Sequence, residues 1–120
     1  MKKIILITGA AGMVGSNLIN EYINQDVQII AIDSLKLGTI KNIKSFKKKK
    51  NFLFFKVDIS KKIENKKIEN ILKKNYLHEI WHLAANSDIQ SGIGDYEVDL
   101  KDTFLTTCNT LNFIDKYIEK

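Results

Sequence analysis

Ile4-Ile5-Leu6-Ile7-Thr8-Gly9-Ala10-Ala11-Gly12-Met13-Val14-Gly15 joins an apolar run to a turn with three glycines at intervals of three, and a helical pattern follows. A short unbroken apolar run reads as a strand covered by helices on both faces, as in a parallel sheet. Gly9 suits a turn conformation that a Cβ would oppose. Gly12 carries no side chain to keep a ligand off the backbone, and Gly15 lets the helix lie close on the strand. The first amides of that helix, with the positive end of its dipole, favour a pyrophosphate. Strand, glycine turn and helix in this order form a dinucleotide-binding arrangement.

An acid stands where the ribose should be. Val27 to Ile32 reads as the second strand, and Asp33, 18 residues past Gly15, ends it. The spacing expected for the acid that binds the ribose 2′-hydroxyl is about 20 residues. A carboxylate there accepts from the ribose diol and repels a 2′-phosphate, which favours NAD over NADP.

Thr8-Gly-x-x-Gly-x-x-Gly15 resembles the extended short-chain dehydrogenase/reductase family, the NAD-dependent epimerases and dehydratases of nucleotide sugars. Three further segments agree. Phe55-Lys56-Val57-Asp58-Ile59 is similar to the family's third strand, whose Asp contacts adenine. Trp81-His82-Leu83-Ala84-Ala85-Asn86 is similar to its His-Leu-Ala-Ala segment after the fourth strand, which lies along the cofactor. Asp95 to Asn112 resembles the long helix that follows, with Thr103 at the family's Thr and Asp99 where many members have Asn. The wording from His82 to Asp88 is nearest to UDP-glucose 4-epimerase-like members. The resemblance implies a Rossmann-like, doubly wound parallel α/β sheet and NAD as cofactor. It places cofactor contacts at Gly9, Ala11, Gly12, Met13 and Val14 in the turn, at Asp33, at Asp58 and Ile59, and at Leu83, Ala84 and Ala85.

Composition agrees with one domain. The 120 residues are 44% hydrophobic and 28% charged, ordinary for a globular protein. The net charge of +5 comes from lysine alone, since the chain has no arginine. Readers of nucleic acid and phosphate usually employ Arg forks, so their absence lowers that reading. Cys108 is the only cysteine, which excludes an internal disulfide and a cysteine-rich metal site; it reads as a small buried hydrophobe. No run approaches the 18 or so apolar residues of a membrane span. Met1-Lys2-Lys3 and the run after it are too short for a secretory leader, so a cytoplasmic setting is expected.

Along the chain the expectations are strand 3–8, helix Met13 to Asn24, strand 27–32, strand Phe52 to Val57, helix Lys61 to Asn75, strand Glu79 to Leu83 and helix Tyr96 to Glu119. Val14, Leu18, Ile19, Tyr22 and Ile23 form an apolar stripe on the first helix. The connection Ser34 to Asn51, with Lys47 to Lys50, reads as a solvated and mobile segment, because like charges in series oppose compaction. Asn86 to Asp95 reads as a polar loop at the carboxyl edge of the sheet, where ligands bind in such folds. His82 reads as scaffold and His78 as exposed before its strand; the two make no metal site. The last helix is apolar on more than one side, which asks for two partners. The family packs this helix on the sheet and against a second subunit, so a homodimer through 96–119 is implied.

Four strands in the order 3-2-1-4 with right-handed crossovers follow from the alternation. The family continues with a catalytic Ser or Thr and Tyr-x-x-x-Lys, in which the ammonium favours phenolate. Tyr22 has Asp26 four residues on, Tyr76 has Ile80, Tyr96 has Leu100, and Tyr117 has only Lys120 three on. The expectation is therefore the NAD-binding portion of a nucleotide-sugar epimerase or dehydratase, truncated after about four strands and with no catalytic residue. In a complete enzyme, NAD would oxidise the sugar C4 hydroxyl and return hydride. The alternatives are a stand-alone NAD-binding module with a regulatory or assembly role, and a basic polyanion-binding domain, which the placement of Asp33 argues against.

Overall fold

β1 (Lys3–Thr8) and β2 (Gln28–Asp33) are apolar along nearly their whole length, and both are buried in the middle of the sheet. The computed structural model describes residues 1–118. It pairs β1 with β2, β2 with β3 (Phe52–Lys56) and β1 with β4 (Tyr76–His82), all parallel, in the order β3-β2-β1-β4. This is the expected order. Alternate side chains of the central strands supply two separate cores. Ile4, Leu6, Ile30 and Ile32 meet Ile68 and Leu72 of α2 (Lys66–Lys74) and Phe113 and Ile114 of α5 (Thr106–Ile114). Ile5, Ile7, Ile29 and Ala31 meet Ile19 of α1 (Met13–Tyr22) together with Ile23, Ile43 and Phe52. Each buried isoleucine removes enough apolar surface to contribute about 1.5–3 kcal/mol.

Several boundaries differ from the sequence reading. The second helix begins at Lys66 rather than Lys61, because Asn65 caps it by accepting from the Lys67 and Ile68 amides at 3.1 Å. Ile63 is still buried, but from the loop ahead of the helix. β4 starts at Tyr76, not Glu79, so His78 is exposed within the strand rather than before it. The connection 34–51 is not an open loop. It makes two turns of 3₁₀ helix, Ile40–Asn42 and Lys44–Lys48, pinned by buried Ile43 and by Phe46, whose ring lies 5.8 Å from that of Phe52. Lys47 to Lys50 remain on its exposed side.

The loop 86–95 contains a short helix α3 (Ile89–Gly94), started by the Asp88 carboxylate accepting from the Gln90 amide. The last helix is not uniform. α4 (Glu97–Asp99) passes into a π-helical stretch, Leu100–Leu105, before α5 begins. It ends at Ile114, with Asp115 as its C-cap, five residues short of the predicted end at Glu119, which itself lies outside the described residues. Cys108 is half-buried on α5. Val14 leaves the predicted apolar stripe of α1: it is 61% exposed, while Gly15 and Ile19 take the buried face.

Candidate functional site

The glycine turn is built by close approach. Gly9 has φ +67°, the left-handed region, and a Cβ there would lie 2.7 Å from the Leu83 carbonyl carbon and the Ala84 amide. A Cβ on Gly15 would lie 2.4 Å from the Gly9 oxygen. Gly12 differs from both. A Cβ there meets only the Gly9 oxygen, at 3.3 Å, and otherwise points into open space. Gly12 begins α1 with no side-chain cap, and no acid occupies the first turn. The leading amides of α1 therefore keep donors free and the dipole uncompensated, which suits an anion. Met13 and Val14 are exposed beside them.

Asp33 anchors the turn from below. Its Oδ2 accepts from the Ala11 amide at 2.9 Å and its Oδ1 from the Leu35 amide at 2.7 Å, and the residue is only 8% exposed. Each oxygen has a second lone pair available. The Ala11 carbonyl in turn accepts from the Thr39 amide at 3.1 Å and the Asn42 side chain at 2.9 Å. The segment after β2 is thus folded back over the turn. Gly38 permits this, since a Cβ there would lie 2.9 Å from Asp33 Oδ2.

Asp58 stands past the end of β3. Its Oδ1 accepts from the Ser60 hydroxyl at 2.6 Å and the Ser60 amide at 3.0 Å. The Ser60 hydroxyl above all, helped by its amide and the charges of Lys61 and Lys36, holds this carboxyl below its ordinary range against burial, which pushes it up. Ile59 is buried, and its carbonyl accepts from Asn109 at 3.0 Å.

Thr8 organises the fourth wall. Its hydroxyl oxygen accepts from the Leu83 and Ala84 amides at 3.2 and 3.3 Å and lies 2.8 Å from His82 Nδ1. With its lone pairs so used, the hydroxyl proton goes to Nδ1, which leaves Nε2–H to donate to Thr107 Oγ1 at 3.1 Å. Burial lowers the His82 pKa, consistent with this neutral ring. The His82 ring is thus held between Thr8 and Thr107. Among the described residues no cluster of His, Cys, Asp and Glu could hold a metal. Asp99 accepts from the Asn86 side chain at 3.0 Å, and Thr103 accepts from the Asn86 amide at 3.0 Å.

These pieces enclose a groove of about 980 Å³ at the carboxyl end of the sheet. Gly9, Gly12, Met13, Val14, Asp33, Asp58, Ile59, Leu83, Ala84 and Ala85 all line it. Ala11 lies beneath, fully buried, with its amide committed to Asp33. The sequence reading missed Lys36, Gly38, Ser60, Asp102 and Thr106, which also line the groove. Gly38, five residues past Asp33, was the available signal for a second close approach.

Residues 6–120 match the family described as GDP-mannose 4,6 dehydratase. The chain belongs to this family. Individual relatives resemble the chain in sequence and in fold. A putative UDP-glucose 4-epimerase of Methanocaldococcus jannaschii is 27% identical over 94% of this chain and 34% of its own length. A dTDP-glucose 4,6-dehydratase of Haemophilus influenzae is 36% identical over 77% of this chain and 28% of its own. The UDP-glucose 4-epimerase of Thermotoga maritima, solved with UDP-glucose, superimposes with a TM-score of 0.76 at 25% identity, over 95% of this chain and 34% of that one. The chain thus spans about a third of the length of such relatives. No helix among the described residues is long and apolar enough to cross a membrane.

Proposed function

We propose that residues 1–120 are the NAD-binding part of a nucleotide-sugar epimerase or dehydratase. The observation that carries this reading is the convergence on one groove of an uncapped helix start at Gly12 and two carboxylates, Asp33 and Asp58. The cradle fits a dinucleotide: a Cβ on Gly12 would project into space that a diphosphate would occupy. Met13 and Val14 would present their amides to the diphosphate. Asp33 would bind the adenosine ribose through its unused lone pairs and reject a 2′-phosphate by charge. Asp58 and Ile59 would meet the adenine, and Leu83, Ala84 and Ala85 would line the path toward the nicotinamide. When bound, NAD supplies reversible oxidation of a sugar hydroxyl, at C4 in this proposal.

Tyr22 is the most tied of the tyrosines, and its hydroxyl donates to Glu79, which raises its pKa, the opposite of an activated phenolate. The reading includes a cytoplasmic setting and a homodimer. The dimer is supported by Leu100, Phe104 and Leu111 along the last helix and Ile118 just beyond its end, all half or more exposed. A monomer at high concentration in sedimentation would defeat that part.

Calorimetric titration of the chain with NAD and with NADP tests the whole. NAD is expected to bind and NADP to bind more weakly; equal binding, or none, defeats the assignment. Turnover of a UDP-sugar by this chain alone would exclude the alternative of a stand-alone module without catalysis.

A further inference from the structure

Lys36 and Asp102 are 66 residues apart in sequence and form an ion pair across the groove. Lys36 stands on the segment after β2, three residues beyond Asp33. Asp102 stands on the π-helical stretch of the opposite wall. Both line the same groove as Asp33 and Asp58. The neighbouring Lys101 has a different partner, Glu97 at 2.7 Å, so Asp102 keeps Lys36 to itself among the described ion pairs. Lys36 also makes itself felt at Asp58, whose carboxyl its charge helps to keep ionised.

A phosphate on the ribose 2′ position carries about −1.5 to −2 charges at neutral pH. If the ribose lies at Asp33, such a phosphate would arrive close to the lysine three residues further on. A free ammonium would offset the repulsion from Asp33. An ammonium already bound to a carboxylate does so less. We propose that Asp102 is a specificity-determining residue: by holding Lys36 across the groove it withholds that charge from a 2′-phosphate, and so widens the preference for NAD over NADP. This rests on the ribose placement given under the proposed function.

The test measures dissociation constants for both dinucleotides at one ionic strength, in the unsubstituted chain, Asp102→Asn, Lys36→Met and the double variant. Asp102→Asn should raise NADP affinity relative to NAD about fivefold, the upper end for an ion pair whose lysine is exposed. The double variant should lose that gain. An unchanged ratio in Asp102→Asn overturns the inference. So does a gain that survives in the double variant, since removing a negative charge would then explain it without Lys36. Failure of the unsubstituted chain to bind NAD removes the proposed function and this inference together. Intact NAD binding with an unmoved ratio removes the inference alone.

Discussion

Gly9→Ala sets the structural argument against a number. The new methyl would fall 2.7 Å from backbone atoms of Leu83 and Ala84, which belong to the chain leaving β4 and cannot swing aside as a flexible side chain could. A left-handed backbone costs a residue with a Cβ about 1–2 kcal/mol. Crowding in a packed region adds about 1–3 kcal/mol. The sum, about 2–5 kcal/mol, is a large part of the stability of a domain this size. With a melting shift of about 4 °C for each kcal/mol, thermal denaturation followed by circular dichroism should fall by about 8–20 °C. Gly12→Ala is the matched control. Its φ of −77° suits any residue, and its one near atom is 3.3 Å away. It should melt within about 4 °C of the unsubstituted chain. It should nevertheless bind NAD roughly tenfold more weakly, a loss of about 1.4 kcal/mol, because the methyl occupies the diphosphate's space. Two variants that melt alike, or a Gly9→Ala chain as stable as its parent, would show that the close approach of Gly9 to Leu83 and Ala84 carries no such cost.

Asp33→Asn should cost about 1–3 kcal/mol in urea denaturation as well as binding, because an amide oxygen cannot replace both carboxylate oxygens now accepting from Ala11 and Leu35. NAD affinity should fall and the discrimination against NADP relax; a variant of full stability with altered binding would show that those two bonds matter little. His82 makes stability depend on pH in mild acid. Burial lowers its folded pKa from 6.5, so below pH 6.5 the unfolded chain takes the proton first and stability declines until the folded ring also titrates. Melting temperatures between pH 8 and 5 should show this decline, and His82→Gln should flatten it; an unchanged slope in that variant would assign the titration elsewhere.

The parts of the fold legible in the sequence are those set by local chemistry. The runs Ile4–Ile7 and Ile29–Ile32 announce buried parallel strands, and the glycine turn between β1 and α1 appears where its spacing requires. Asp33 was legible as a strand-end acid facing the groove. Its second task, bonding the Ala11 and Leu35 amides, was not, since that depends on where the chain returns in space. The segment 34–51 misled because its seven lysines outnumber the four residues, Leu35, Ile40, Ile43 and Phe46, that pack it against the core. Ile63 misled in another way: it reads as an inward residue of the helix yet packs from a loop, and the Asn65 cap decides where the helix begins. The Lys36–Asp102 contact joins walls that no local pattern connects.

The stretch Leu100–Leu105 works as a frameshift written into a helix. A π turn carries one residue more than the α ladder on either side can count. Deleting a single residue there would restore regular winding and turn α4 by about 100° around the axis relative to α5. Asn86 would then lose the Asp99 and Thr103 that now meet it, although no contacting residue had been altered. The loop over the groove's far lip is therefore set in phase by a spare residue, not by the identity of its neighbours.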